Sequence, residues 1–105
     1  MTELVQNELT RYVNYISSLK EVRKIYLFGS YAYGHPHDDS DIDLYVTVLD
    51  DVDKIKTGIK MESGLFDRKT ALDIIINWDS EFETACEGAT LQSEVKQKGV
   101  LLYEQ

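Results

Sequence analysis

Residues 22–48 read VRKIYLFGSYAYGHPHDDSDIDLYVTV and contain two predicted strands with a glycine-containing connection between them. The first strand is predicted at Val22–Phe28, which is β-branched and aromatic and is followed by Gly29. The second is predicted at 41–48, where apolar and polar residues alternate and therefore face opposite sides of a sheet. The apolar set is Ile42, Leu44, Val46 and Val48, and the polar set is Asp41, Asp43, Tyr45 and Thr47.

Helical patterns lie on both sides of these strands. Residues 3–19 place apolar side chains three and four positions apart, which predicts an amphipathic helix with Thr2 as its N-cap. A second helix is predicted at 52–61, with Gly64 at its end or shortly after it. The residues of this helix predicted to face the core are Val52, Ile55 and Ile59.

The last third of the chain predicts a strand at 70–78, a helical segment at 79–98 and a short strand at 100–103. The helical segment is weakly patterned, so we expect two pieces broken near Gly88, with Gly99 closing the second. The resulting order, α-β-β-α-β-α-(β), predicts an α/β (α+β) fold: a small mixed sheet with helices packed on one face. With 105 residues, the chain is expected to form a single domain, 1–105.

Composition excludes several classes of protein. Nineteen acidic residues against eleven Lys and Arg give a net charge of −8, which disfavours binding to nucleic acid through phosphate neutralisation. No apolar run is long enough to span a membrane, and the first residues, Met-Thr-Glu-Leu, do not resemble a secretory signal. The single cysteine, Cys86, excludes an internal disulfide and fits a reducing cytoplasm. We expect a cytoplasmic protein without a thiolate zinc site.

A Gly-Ser pair and two aspartates form the pattern G-S-x10-D-x-D, from Gly29 and Ser30 to Asp41 and Asp43. Gly29 lets the backbone approach a ligand, and Ser30 adds a hydroxyl at the start of a predicted helical turn, where free N–H groups favour phosphate. The two aspartates are two apart on a strand, so both carboxylates project from the same face. Paired oxygen ligands of this kind suit Mg²⁺ that also holds substrate phosphates.

A third acid, Asp73, lies in the third predicted strand between Leu72 and Ile74. An ionised carboxylate in so apolar a strand is costly without a partner or a metal. If this strand neighbours Asp41 and Asp43, three carboxylates converge beside the Gly-Ser turn. That is the arrangement of a two-metal site, in which cations about 3.5–4 Å apart clamp the attacking and leaving oxygens.

The chain resembles the nucleotidyltransferase superfamily that includes DNA polymerase β. It is most similar to the minimal nucleotidyltransferase (MNT) branch, the antitoxin partners of HEPN-domain toxins. The resemblance is carried by LFGSYAYG at 27–34, SDIDLYV at 40–46, ALDIII at 71–76 and, more loosely, GVLLYE at 99–104. One position departs from the family, which often has arginine where this chain has Tyr33, and a phenol cannot replace a guanidinium as a charged phosphate donor.

The resemblance implies a use for each residue of the pattern. Gly29 and Ser30 would hold the phosphates of ATP, and Asp41 and Asp43 would bind two Mg²⁺ ions. Asp73 would be both a metal ligand and the general base. The implied reaction is transfer of AMP from ATP to a hydroxyl, expected to be that of a tyrosine on a HEPN RNase toxin, which the modification would silence.

Two alternatives stay open at this stage. One is a small-molecule adenylyltransferase of the antibiotic-modifying type, although such enzymes generally carry a second domain. The other is a non-catalytic antitoxin that neutralises its partner by contact alone. Two further features of the sequence have simple interpretations. His35 and His37 flank Pro36 and are expected in a loop. The apolar stretch 100–103 is expected to be covered, either within the chain or by a partner in a hetero-oligomer.

Overall fold

The computed structural model describes residues 1–34, 36 and 40–105. His35, His37, Asp38 and Asp39 lie outside the described residues, and the prediction of a loop at the two histidines lies there with them. In the described part the chain forms five helices and four strands. In chain order they are α1 Glu3–Ser17, β1 Val22–Phe28, α2 Ser30–Tyr33, β2 Ile42–Val48, α3 Lys54–Gly64, β3 Leu72–Trp78, α4 Asp79–Ala85, α5 Leu91–Lys98 and β4 Val100–Glu104.

The four strands form one mixed sheet in the order β3-β2-β1-β4. Strand β1 runs antiparallel to both β2 and β4, whereas β2 and β3 are parallel. The end of β1 therefore meets the beginnings of β2 and β3 at the same end of the sheet. The predicted α+β class with a small mixed sheet is confirmed, and this shared end brings the polar residues of the motif together.

Helices cover both faces of the sheet. On the first face, α1 and α3 pack over a core that includes the fully buried Tyr12, Ile25 and Met61. On the second face, Phe82 of α4 and Val95 of α5 pack against aromatic residues of β1 and β2. The predicted layer of helices on one face consists of α1 and α3. Helices α4 and α5 cover the other face, because alternate strand residues point to that face and also need burial.

Aromatic and polar contacts hold the second layer in place. The Phe82 ring lies 5.4 Å from that of Tyr26 and 5.0 Å from that of Tyr45, measured between centroids. The buried Tyr45 hydroxyl accepts hydrogen bonds of 3.1 Å from the side-chain amides of Asn77 and Gln92. Helix α5, which contributes Gln92, is thereby fixed to the middle of the sheet.

The helix boundaries follow from their caps. The Thr2 side chain accepts a 3.2 Å hydrogen bond from the Val5 amide, which confirms Thr2 as the N-cap of α1. The break in the last helical segment is also confirmed, since α4 ends at Ala85 and α5 begins at Leu91. None of the helices in the described ranges is long and apolar enough to cross a membrane.

One helix face was predicted incorrectly. Ile55 and Ile59 of α3 were expected to face the core, but they are 77% and 61% exposed. Thr57 and Met61 are buried instead. The helix approaches the sheet through Gly58, where an added Cβ would lie 3.2 Å from the Ile76 side chain, so the helix face bearing Thr57 and Met61 turns inward.

Candidate active site

A tight turn after β1 forms one wall of the site. Gly29 has a φ of +75°, in the region that favours glycine. A Cβ at this position would lie 2.1 Å from Oδ2 of Asp43, so the carboxylate occupies the space of the missing side chain. The short helix α2 begins at the next residue, Ser30, and ends at Tyr33, and its C-cap Gly34 has a φ of +85°. The predicted helical turn at Ser30 is confirmed, and Gly29 is needed for both its conformation and its closeness to Asp43.

Strand register brings the acidic residues to this turn. Asp43 is paired with Phe28 on one side and with Asp73 on the other. Asp41 lies two residues before Asp43, and the Ile42 amide between them donates a 2.9 Å hydrogen bond to the carbonyl of Ala71. Asp43 is half-buried and Asp73 is exposed on the edge strand β3. The structure therefore brings Gly29, Asp43 and Asp73 together, with Asp41 next to them.

The carboxylates act on one another electrostatically. Burial raises the pKa of Asp43 above its usual value, and the negative charges of Asp73 and Asp41 raise it further. Within the described ranges, no three His, Cys, Asp or Glu side chains are close enough to form a ready metal-binding group. The donor set nevertheless fits a divalent cation, because its oxygens are of the type Mg²⁺ prefers and a cation would offset their mutual repulsion.

Tyr33 lies at the edge of this site. Its hydroxyl is buried and has no hydrogen-bond partner among the described residues. Burial is the largest cause of a raised pKa for Tyr33, and the charges of Glu94 and Asp43 add to it. Glu94 belongs to α5, whose closeness to the turn could not be seen in the sequence, because it depends on the second helical layer.

A cavity of about 660 Å³ adjoins the same end of the sheet. Three of its lining residues, Tyr31, Ser40 and Ala71, are close neighbours in the chain of Ser30, Asp41 and Asp73 respectively. Its volume is within the range of small-ligand pockets, about 300–1,000 Å³. None of Gly29, Ser30, Asp41, Asp43 and Asp73 lines this cavity, which opens instead against the start of α1 and residues 69–71.

Comparison with known proteins assigns the fold. The family described as polymerase beta, nucleotidyltransferase, matches residues 11–105, and the chain belongs to this family. A toxin–antitoxin structure with AMP-PNP is 25% identical with a TM-score of 0.55, and the match covers 94% of this chain and 73% of that one. Comparison with curated proteins finds no match.

Two more solved structures share the fold. One, assigned as a nucleotidyltransferase from Sulfolobus solfataricus, is 19% identical with a TM-score of 0.62; the match covers the whole of this chain (100%) and 90% of the other. A mutant of the toxin–antitoxin MntA-HpeT is 22% identical with a TM-score of 0.54, covering 94% of this chain and 73% of that one. The family match over residues 11–105 confirms the expected resemblance to the nucleotidyltransferase superfamily.

Proposed function

We propose that this protein is a Mg²⁺-dependent nucleotidyltransferase antitoxin that transfers AMP from ATP to a hydroxyl of a cognate HEPN RNase toxin. The observation that carries the proposal is the contact between the Gly29 turn and Asp43, which stands beside Asp73 on the neighbouring strand. A glycine turn that opens a helix next to paired carboxylates suits the phosphate and metal binding that nucleotidyl transfer requires.

Each residue of the site has a proposed role. The Gly29 backbone and the Ser30 hydroxyl hold the triphosphate, while Asp41, Asp43 and Asp73 hold the metal. When bound, Mg²⁺ would neutralise the charge that develops on the triphosphate. Asp73 is exposed on the edge strand, so a protein hydroxyl can reach it without reorganisation of the sheet.

The proposed reaction is a direct displacement. The acceptor oxygen, in our proposal that of a tyrosine, forms a bond to the α-phosphorus of ATP. The bond from that phosphorus to the oxygen bridging to the β-phosphate breaks, and pyrophosphate leaves. The hydroxyl proton passes to the Asp73 carboxylate, which acts as general base.

A toxin partner is supported by two observations. The structure that is 25% identical to this chain is a toxin–antitoxin solved with AMP-PNP. The net charge of −8 also suits a basic partner, as expected of an RNA-cleaving enzyme, because opposite fields speed encounter.

A non-catalytic antitoxin is the second candidate, and Tyr33 is the observation that favours it. Its uncharged side chain, whose hydroxyl is buried, stands where the family often has arginine, so the turn has one cation fewer for a triphosphate. Contact alone would then neutralise the toxin.

Radiolabelled ATP separates the candidates. The purified protein is incubated with Mg²⁺, ATP labelled at the α-phosphate, and the toxin or small-molecule hydroxyl acceptors. We expect label on the toxin, and loss of that label with Asp41→Asn/Asp43→Asn. The control, Asp51→Asn/Glu87→Gln, also removes two negative charges, but at exposed positions in turns outside the helices and strands, and should retain transfer. Label on a small molecule would favour the antibiotic-type alternative, and no label with tight toxin binding would favour the non-catalytic one.

A further inference from the structure

A buried carboxylate on α1, that of Glu8, holds donors from two parts of the chain. Its Oε2 accepts hydrogen bonds of 2.8 Å from the Tyr12 hydroxyl and 3.0 Å from the Lys69 amide. Arg11 adds an ion pair of 2.9 Å to the same oxygen. Glu8 is only 5% exposed, so these bonds are made largely away from solvent. One side chain thus joins α1 to the segment that precedes β3.

The same segment is held at two more points. The Arg11 guanidinium lies 3.1 Å from Oδ1 of Asp67, and the Tyr12 hydroxyl lies 2.9 Å from the carbonyl of Thr70. Asp67, Lys69 and Thr70 are therefore attached to one face of α1, whereas the Arg68 side chain bonds to Leu65 and Glu62 on the side of α3. The chain passes from there through Ala71 directly into β3.

This attachment lies close to the proposed general base. The Ala71 carbonyl accepts the Ile42 amide, and two residues later Asp73 stands beside Asp43. Strand β3 is at the edge of the sheet and, among the described strands, pairs only with β2, so strand pairing fixes its position from one side alone. The contacts to α1 supply a further constraint at the start of the strand, in addition to the Arg68 guanidinium, which lies 3.5 Å from the Leu72 carbonyl.

We propose that Glu8 is a positioning residue for nucleotidyl transfer: by fixing residues 67–70 it sets the entry of β3 and so places the Asp73 carboxylate beside Asp43. The inference rests on the proposed function. Glu8 touches neither the turn at Gly29 nor the carboxylates, so its effect passes through the strand. Catalysis is sensitive to such placement, because small shifts of a reacting group are costly.

The test uses Glu8→Gln, which keeps the shape but removes the charge that gathers three donors. Its matched control is Glu21→Gln, since Glu21 is also a shielded acid, paired at 3.0 Å with Lys60, but it joins no part of β3. Steady-state AMP transfer to the toxin gives kcat and the KM for ATP. We expect Glu8→Gln to lower kcat about 10- to 100-fold while the KM changes little, because the phosphate turn is on α2.

A second readout does not depend on activity. Amide NMR spectra of the uncomplexed protein should show displaced signals for residues 71–73 in Glu8→Gln and unchanged ones in Glu21→Gln. Equal kcat values for the two variants, or unchanged 71–73 signals in Glu8→Gln, would overturn the positioning role. If the wild-type protein transfers no AMP, the proposed function fails, and the NMR comparison still decides whether Glu8 sets the entry of β3.

Discussion

At the scale of single residues, Gly29 and Gly34 offer a controlled comparison. Both have positive φ, but a Cβ at Gly29 would collide with Asp43, whereas one at Gly34 would meet nothing within 4 Å. Each change to alanine should cost about 1–2 kcal/mol of unfolding free energy from backbone conformation. Gly29→Ala should in addition displace the carboxylate and abolish AMP transfer. Thermal melts and transfer assays on the two variants check this, and equal activity in both would contradict the proposed part of Gly29 in the site.

Asp43 gives the clearest pH-dependent prediction. Because its pKa is raised in the folded protein, ionisation of Asp43 costs more in the folded than in the unfolded state. Its contribution to stability therefore falls as pH rises through its unfolded and then its folded pKa. At pH 7 without divalent cations, Asp43→Asn should therefore raise Tm. In a domain of this size, a gain of about 1 kcal/mol in the free energy of unfolding corresponds to a rise of about 4–8 °C. At a pH below the unfolded pKa the gain should vanish, and an equal gain in the control Asp51→Asn would show that net charge alone is responsible.

The residues of the candidate site could be predicted from sequence because their spacing is local. The G-S-x10-D-x-D pattern places Gly29, Ser30, Asp41 and Asp43 at one strand end, and the register then adds Asp73. The contribution of Glu8 could not be predicted, because its partner Lys69 is 61 positions away and neither residue stands out in composition.

At the scale of elements, α3 shows where periodicity is ambiguous. Ile55 and Ile59 form one i, i+4 pair and Thr57 and Met61 form another, so a short helix offers two possible inner faces. The choice is made by the fit of Gly58 against Ile76. Sequence alone does not contain that contact.

Substitutions on the two faces of α3 are expected to change the free energy of unfolding by very different amounts. Met61→Ala should cost about 2–5 kcal/mol, because it removes a fully buried side chain. Ile59→Lys, on the exposed face, should change the unfolding free energy by less than about 0.5 kcal/mol. Urea denaturation of the two variants measures both quantities. A large loss with Ile59→Lys would place that side chain in the core after all.

The contact between α1 and the start of β3 predicts how the stability of the fold changes at acidic pH. The hydrogen bond from Arg11 is the largest cause that lowers the pKa of Glu8 from 4.5 to about 2. An acid with a lowered pKa stabilises the fold above its unfolded value, and this stabilisation is lost as pH falls towards the folded value. Part of the stability should therefore disappear between pH 4.5 and about 2. Melting curves should show this part of the decline missing in Glu8→Gln and present in Glu21→Gln.

The second helical layer depends on charges that are far apart in the chain. Lys24 of β1 lies 2.7 Å from Glu83 and 3.3 Å from Asp79, both on α4. Glu83 also contacts Lys96 of α5 at 2.5 Å. Such a network could not be predicted from local patterns, which is why only one layer of helices was expected.

At the scale of the whole molecule, net charge governs encounter with a partner. At −8, the protein should associate with a basic toxin faster at low ionic strength than at high. Stopped-flow mixing over a range of salt concentrations should show the association rate falling, with a smaller change in the dissociation rate. Light scattering of the protein purified from its native cell should give a mass above 12.1 kDa. A monomer with no co-purifying protein at low salt is the result that speaks against a partner.

The placement of Asp43 and Asp73 on different strands has a mechanical consequence. The parallel pair β2–β3 lies at the edge of the sheet, since no strand in the described part of the chain pairs with the far side of β3. An ion held jointly by the two carboxylates would link β2 to β3, so binding of the ion would also suppress local opening of the edge strand. Amide hydrogen exchange along Leu72–Trp78 would then report occupancy directly, and the edge of the protein would be most easily opened when the site is empty.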